Sequence, residues 1–130
     1  MKAKSVVYWI VTILFCGFLA WSAYGYLSRA PKMVAAMASL GYPDYVLNIL
    51  GVAKLIGVVV LLAPGCAKLK EWAYAGFTID LIGAVWSHLA SGQQKEAMVP
   101  VIFLVLLAIS YSLRPATRRL VVVDVVAVPA

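Results

Sequence analysis

Apolar and polar positions alternate along this chain in long blocks, and four apolar runs, at about residues 6–27, 45–63, 71–92 and 97–113, carry most of it. Each run approaches the roughly 20 helical residues that cross a hydrocarbon core of about 30 Å, at about 1.5 Å of rise per residue. The pattern predicts an all-α, membrane-embedded four-helix bundle with four transmembrane helices. The first run exceeds the roughly 7 to 15 apolar residues of a secretory signal, so it reads as a helix that stays. Trp21, Tyr24 and Tyr26 near its end suit an interfacial aromatic belt. Within 30–41, Pro31 suits a first helical turn, Met33, Met37 and Leu40 share one side, and Gly41 before Pro43 is a stop. That segment reads as a short interfacial helix after the first span, or as an ordered loop over the bundle. Pro43-Asp44 introduces the second span, Pro64-Gly65 ends it, and the short connection to Lys70 makes spans two and three antiparallel neighbours. Pro100 lies close enough to the start of the fourth run to be tolerated.

Polar residues inside these runs change the picture. Ala73, Gly76, Asp80, Gly83 and Ser87 are spaced 3, 4, 3 and 4, so they share one narrow face of the third helix, a small and polar seam that reads as a packing face. In the second run Lys54 stands between Gly51 and Gly57, where another backbone can approach. A charged side chain at mid-membrane costs roughly 2.5 to 3.5 kcal/mol on insertion scales, so each needs a reason. Lys54 lies ten residues before Pro64 and Asp80 ten residues after Lys70, which sets them at one depth in antiparallel neighbours. An ion pair is expected. It either locks the helices together or marks a binding or proton-handling centre. His88 falls about two turns beyond Asp80, with Ser87 beside it and Asp44, Tyr42 and Tyr45 at similar height. Such a histidine binds a polar head group, relays protons, or is simply solvated at the interface. The candidate binding set is therefore Lys54, Asp80, Ser87, His88 and Tyr45, supported by a structural seam of Gly51, Gly57, Gly76 and Gly83.

Composition fits a membrane protein: 65% of the 130 residues are hydrophobic and 12% charged, against roughly half and a quarter in soluble domains. One domain, 1–130, is expected. The net charge of +6 sits in clusters at the ends of apolar runs, which points to headgroups and away from nucleic acid. Lys2, Lys4, Lys68, Lys70, Arg114, Arg118 and Arg119 fall on one side, and Arg29, Lys32 and Lys95 on the other. That asymmetry predicts a multi-pass protein of the cell inner membrane with both termini cytoplasmic. The tail, 114–130, is basic and then valine-rich, and too short to span. Cys16 in the first run and Cys66 in a loop form no Cys-x-x-Cys and are expected to stay unpaired. A single histidine cannot supply two axial haem ligands, and no metal-binding spacing, P-loop, dinucleotide fingerprint or nucleophile elbow is present. No intrinsic cofactor or self-contained catalytic motif is expected.

Leu40-Gly-Tyr-Pro43, Gly51-Val-Ala-Lys54-Leu-Ile-Gly57, Leu69-Lys-Glu-Trp-Ala-Tyr-Ala-Gly-Phe77 and Gly83-Ala-Val-Trp-Ser-His-Leu89, in this order and spacing, resemble the DoxX-like family of small four-helix membrane proteins over about residues 6–113. The family's namesake is described as a membrane subunit of a quinone-linked oxidoreductase in sulfur metabolism. The resemblance implies an accessory or anchoring membrane subunit of such a system, a quinone as the molecule it helps to place, and a redox partner protein or a homo-oligomer in the lipid bilayer. Any oxidoreductase role rests on the resemblance alone. The alternative is a small-molecule, lipid or proton-handling membrane protein that uses Lys54, Asp80 and His88 directly.

Overall fold

The structure, a computed structural model, describes residues 2–119. Five α-helices follow one another: α1 (Lys2–Leu27), α2 (Pro31–Ser39), α3 (Tyr45–Leu62), α4 (Ala67–Ala90) and α5 (Gln94–Ser112), before a 3₁₀ turn at Ala116–Arg118. No strand occurs among the described residues. The helices begin up to four residues before the apolar runs, as α1 and α4 do. Hydropathy marks the stretch that suits lipid, whereas backbone hydrogen bonding continues into the polar flanks. The segment after α1 is a helix rather than a loop: Pro31 opens it, Met37 is buried, and Gly41 leaves it at φ +85°. The valine-rich part of the tail lies outside the described residues.

Three helices, α1 from Ala3, α3 and α5, are long and apolar enough to cross a membrane. At 24 residues α4 is long enough as well, but Lys68, Lys70, Glu71 and Asp80 make it more polar than those three. The nine residues of α2 reach about 14 Å.

Around the core, α1 packs on α3 and α5, and α4 packs on the same two, so the four long helices form a ring. Phe15, Cys16 and Leu19 of α1 meet Val58 and Leu61 of α3, Tyr74, Phe77 and Leu81 of α4, and Leu107 of α5. Phe15 meets Phe77 edge-on at 5.4 Å, and Phe18 stacks on Phe103 at 4.1 Å. Hydroxyls buried in this core satisfy one another: Ser110 Oγ is 2.6 Å from Thr12 Oγ1 and 2.7 Å from the Tyr74 hydroxyl. An unpaired hydroxyl in such a dry setting would cost free energy, so the trio joins α1, α4 and α5. Cys16 is buried, Cys66 exposed, and both are free thiols.

Basic residues counted above for topology also close the ends of helices. Arg118 donates to the carbonyls of Leu61 at 2.8 Å, Ala63 at 3.2 Å and Leu62 at 3.3 Å, and lies over the Trp9 ring at 4.4 Å. Lys70 donates to the carbonyls of Ala63 and Gly65. Together they satisfy carbonyls that the end of α3 leaves without intrahelical partners. Arg114 pairs with Glu71 at 3.2 Å, and Glu71 also accepts from the Tyr111 hydroxyl at 2.9 Å, which joins α4 to α5. Large apolar side chains such as Ile13, Ile56, Trp72, Ile79, Trp86 and Val105 remain exposed around the outside of the ring.

Candidate functional site

Inside the ring, a cavity of ≈ 480 Å³ opens above the aromatic core, lined by α1, α3, α4 and α5 and bounded by Met33 and Met37 of α2. Lys54 and Asp80 both line it, as equal depth in antiparallel neighbours requires. They do not form the expected ion pair. Among the described residues the salt bridge within 4.0 Å is the one between Arg114 and Glu71. Lys54, only 8% exposed, turns instead toward α1. Its Nζ donates to Ser22 Oγ at 3.1 Å and sits 4.3 Å from the centre of the Tyr26 ring. The reason is rotation about the helix axis: residue counting fixes height, while the packing of α3 on α1 decides which way the lysine faces. A hydroxyl and an aromatic face then stabilise the ammonium away from water. Asp80 is half-buried, and its carboxylate takes no part in the hydrogen bonds or ion pairs among the described residues.

At the end of the cavity nearest α2, hydrogen bonds tie α2 and the loop after it to α4 and to the turn before α5. His88 Nδ1 lies 2.9 Å from the Gln93 side-chain amide. Gln93 Nε2 donates to Ser39 Oγ at 3.2 Å. The hydroxyls of Tyr42 and Ser87 bond directly, and Arg29 donates to the Asp44 carbonyl at 2.8 Å and to Asn48 Oδ1 at 3.3 Å. Ser87 and His88 therefore belong to the cavity wall and its roof at once. Tyr45 does not: it is exposed at the start of α3, and Tyr42 lines the cavity in its place.

Several contributors escape a reading of the sequence. Ser22 and Tyr26 are four residues apart on α1 and so share a face, which is the one available signal. Tyr26 looks like part of an aromatic belt, yet it partners Lys54, while Trp21 and Tyr24 are exposed. Glu96 in the first turn of α5 also lines the cavity. The seam glycines divide between the two helices. A Cβ at Gly51 would stand 2.7 Å from Leu27 Cγ, and one at Gly57 would overlap Phe77. Gly76 and Gly83 meet no atom within 4 Å, so on α4 the small-residue face walls open space rather than packing against a helix. No cluster of three or more histidine, cysteine or acidic side chains gathers among the described residues.

The family model described as the DoxX-like family matches residues 10–110. The chain belongs to the DoxX-like family. Within this DoxX-like match lie all the residues that line the cavity, from Phe18 to Phe103. Comparison with curated proteins found no match, and comparison with solved structures found none either.

Proposed function

We propose that this DoxX-like protein is a four-span component of the cell inner membrane, with both termini cytoplasmic, that holds a small lipid-soluble molecule in its central cavity on behalf of a quinone-linked redox system. The observation that carries this reading is the cavity itself, ≈ 480 Å³ with largely apolar walls and the ionisable side chains of Lys54, Asp80, His88 and Glu96. Mostly apolar pockets of about 300 to 1,000 Å³ with a few converging polar groups are the usual form of small-molecule sites. Lys54 offers hydrogens to a carbonyl or other oxygen, and Asp80 accepts one. The crossing of α4 follows from its connections: residues 63–66 and 91–93 are all that join it to α3 and α5. If α3 and α5 span the bilayer, the helix between them must carry the chain back, and 24 residues rise about 36 Å. Asp80 then sits at membrane depth, where ionisable groups mark functional sites. In this reading the electrons pass through a redox partner protein.

The test is purification of the full chain in native-lipid nanodiscs. A lipid-soluble molecule extracted in about equimolar amount, together with a co-purifying redox protein, supports the reading. Protein that carries neither, and that fails to bind a decyl-substituted benzoquinone, refutes it. The unpaired Asp80 favours a second reading, a small-molecule or proton-handling protein without a redox partner, which predicts the bound molecule alone.

A further inference from the structure

On the outer surface between α3 and α4 runs a second hollow, a groove of ≈ 550 Å³. Leu50, Ala53 and Val60 form its α3 side, and Ala73 and Gly76 its α4 side. Leu50, Lys54, Ile79 and Asp80 line both the groove and the central cavity, so the two spaces adjoin at these side chains. The groove exists because small residues face each other there, and α3 and α4 are the least closely packed neighbours in the ring. Side chains bridge the end of the cavity nearest α2 and fill its floor. Hydrogen bonds from Tyr42 to Ser87 and from His88 through Gln93 to Ser39 fasten the roof, and the aromatic core of Phe15, Phe77 and Phe103 fills the space beneath.

We infer that the cavity is reached sideways from the bilayer between α3 and α4, and that its occupant is an amphipathic molecule whose hydrogen-donating head meets Asp80 while its apolar chain lies along the groove. This rests on the reading of the cavity as a binding site and adds the path, the orientation and the head chemistry. The head chemistry follows from the partners already made. Lys54 already donates to Ser22 and faces the Tyr26 ring, with further hydrogens left to offer, whereas the Asp80 carboxylate, which can only accept while ionised, faces both spaces without a hydrogen-bond donor among the described residues. A hydroxyl or amine hydrogen satisfies it. In a quinone-linked system, that is the reduced, hydroxyl-bearing form. The chain of such a molecule finds apolar walls along the groove and leaves into lipid past the exposed rim of Ile56 and Trp72.

The full chain in phosphatidylcholine vesicles is irradiated with a hexadecanol that carries a diazirine at mid-chain. Label is expected to concentrate in residues 69–80, and Gly76→Leu to lower it by about tenfold, the scale on which one leucine-sized patch of apolar contact registers in binding. A Cβ at Gly76 meets no atom within 4 Å, so this variant is expected to fold, and Ala73→Leu blocks the same groove if it does not. A dimethoxy-methyl-benzoquinol bearing a decyl chain is expected to compete with the label, and the same head without the chain to compete far less. Label spread evenly over the lipid-facing helices, or undiminished by both variants at unchanged melting temperature, overturns the lateral path. A disulfide between two copies formed by Ala73→Cys in vesicles also overturns it, because a second chain would then fill the groove. Label that obeys both variants yet ignores the quinol supports the path and removes the quinone from the proposed function.

Discussion

On α3, Gly51 and Gly57 stand where a Cβ would run into Leu27 and Phe77, while on α4, Gly76 and Gly83 face space with no atom within 4 Å of that position. The two pairs have the same composition and similar spacing along apolar helices, and they serve opposite ends. Against α1 and Phe77, α3 uses the missing side chains for close approach, as membrane helices commonly do. On α4 the same absence leaves room, and the room lies beside Asp80 in both the groove and the cavity. A small residue in a spanning helix thus reports a short distance only when a neighbour comes forward to use it.

The contrast breaks most readily at Gly57. Phe77 is buried and held edge-on by Phe15, so it has little freedom to retreat from a new side chain. Gly57→Leu is expected to destabilise the protein by about 3 kcal/mol, the upper end for overpacking a well-filled core. Thermal unfolding in detergent measures this, and a melting temperature equal to that of the wild type would remove the α3 half of the comparison.

Ser22→Ala comes next, because the closest support of the buried Lys54 is on α1 rather than on α4. Loss of a hydrogen bond to a charged group typically costs about 1.5 to 3 kcal/mol, and the Ser22 hydroxyl accepts at 3.1 Å. Asp80→Asn, which breaks no hydrogen bond and no ion pair within 4.0 Å among the described residues, is expected to cost less. Chemical unfolding of both variants ranks them, and the reverse order would restore the direct pair between Lys54 and Asp80.

A smaller effect is expected at the roof. Gln93→Leu removes the hydrogen bonds to His88 and Ser39 at an exposed edge, with a net cost of about 1 kcal/mol. Hydrogen exchange should quicken in α2 while the amides of α3 and α4 keep their protection. Equal acceleration throughout would mean that α2 is not an independent cover.

The four long elements were legible from the chain because apolar runs and their proline and glycine breaks act locally, whereas Pro31, the methionine spacing and Gly41 left α2 open between a short helix and an ordered loop. The common height of Lys54 and Asp80 was legible too, since rise per residue is constant. Their rotation was not. Which side of α3 meets α1 depends on the packing of whole faces, and that packing sends Lys54 to Ser22 and Tyr26. Tyr42 and Tyr45 are three residues apart and both exposed, and only the course of the loop decides that Tyr42 reaches Ser87 at the cavity edge. Nor does a run of small residues say whether its partner is a helix or a hollow.

Gly83 sharpens that last distinction with the smallest expected change and the opposite sign. Alanine is favoured over glycine inside a helix by about 0.5 to 1 kcal/mol, because glycine loses more backbone freedom on folding. At Gly57 the overlap with Phe77 outweighs this gain. At Gly83 nothing opposes it, since a Cβ there finds no atom within 4 Å and the residue has ordinary helical backbone. Gly83→Ala should therefore leave stability unchanged or raise it by up to about 1 kcal/mol, and Gly57→Ala should lower it by about 1 to 3 kcal/mol. Parallel melting curves decide the matter: two shifts of the same sign would mean that α4 packs as tightly as α3 and that the cavity beside Asp80 is closed in the membrane.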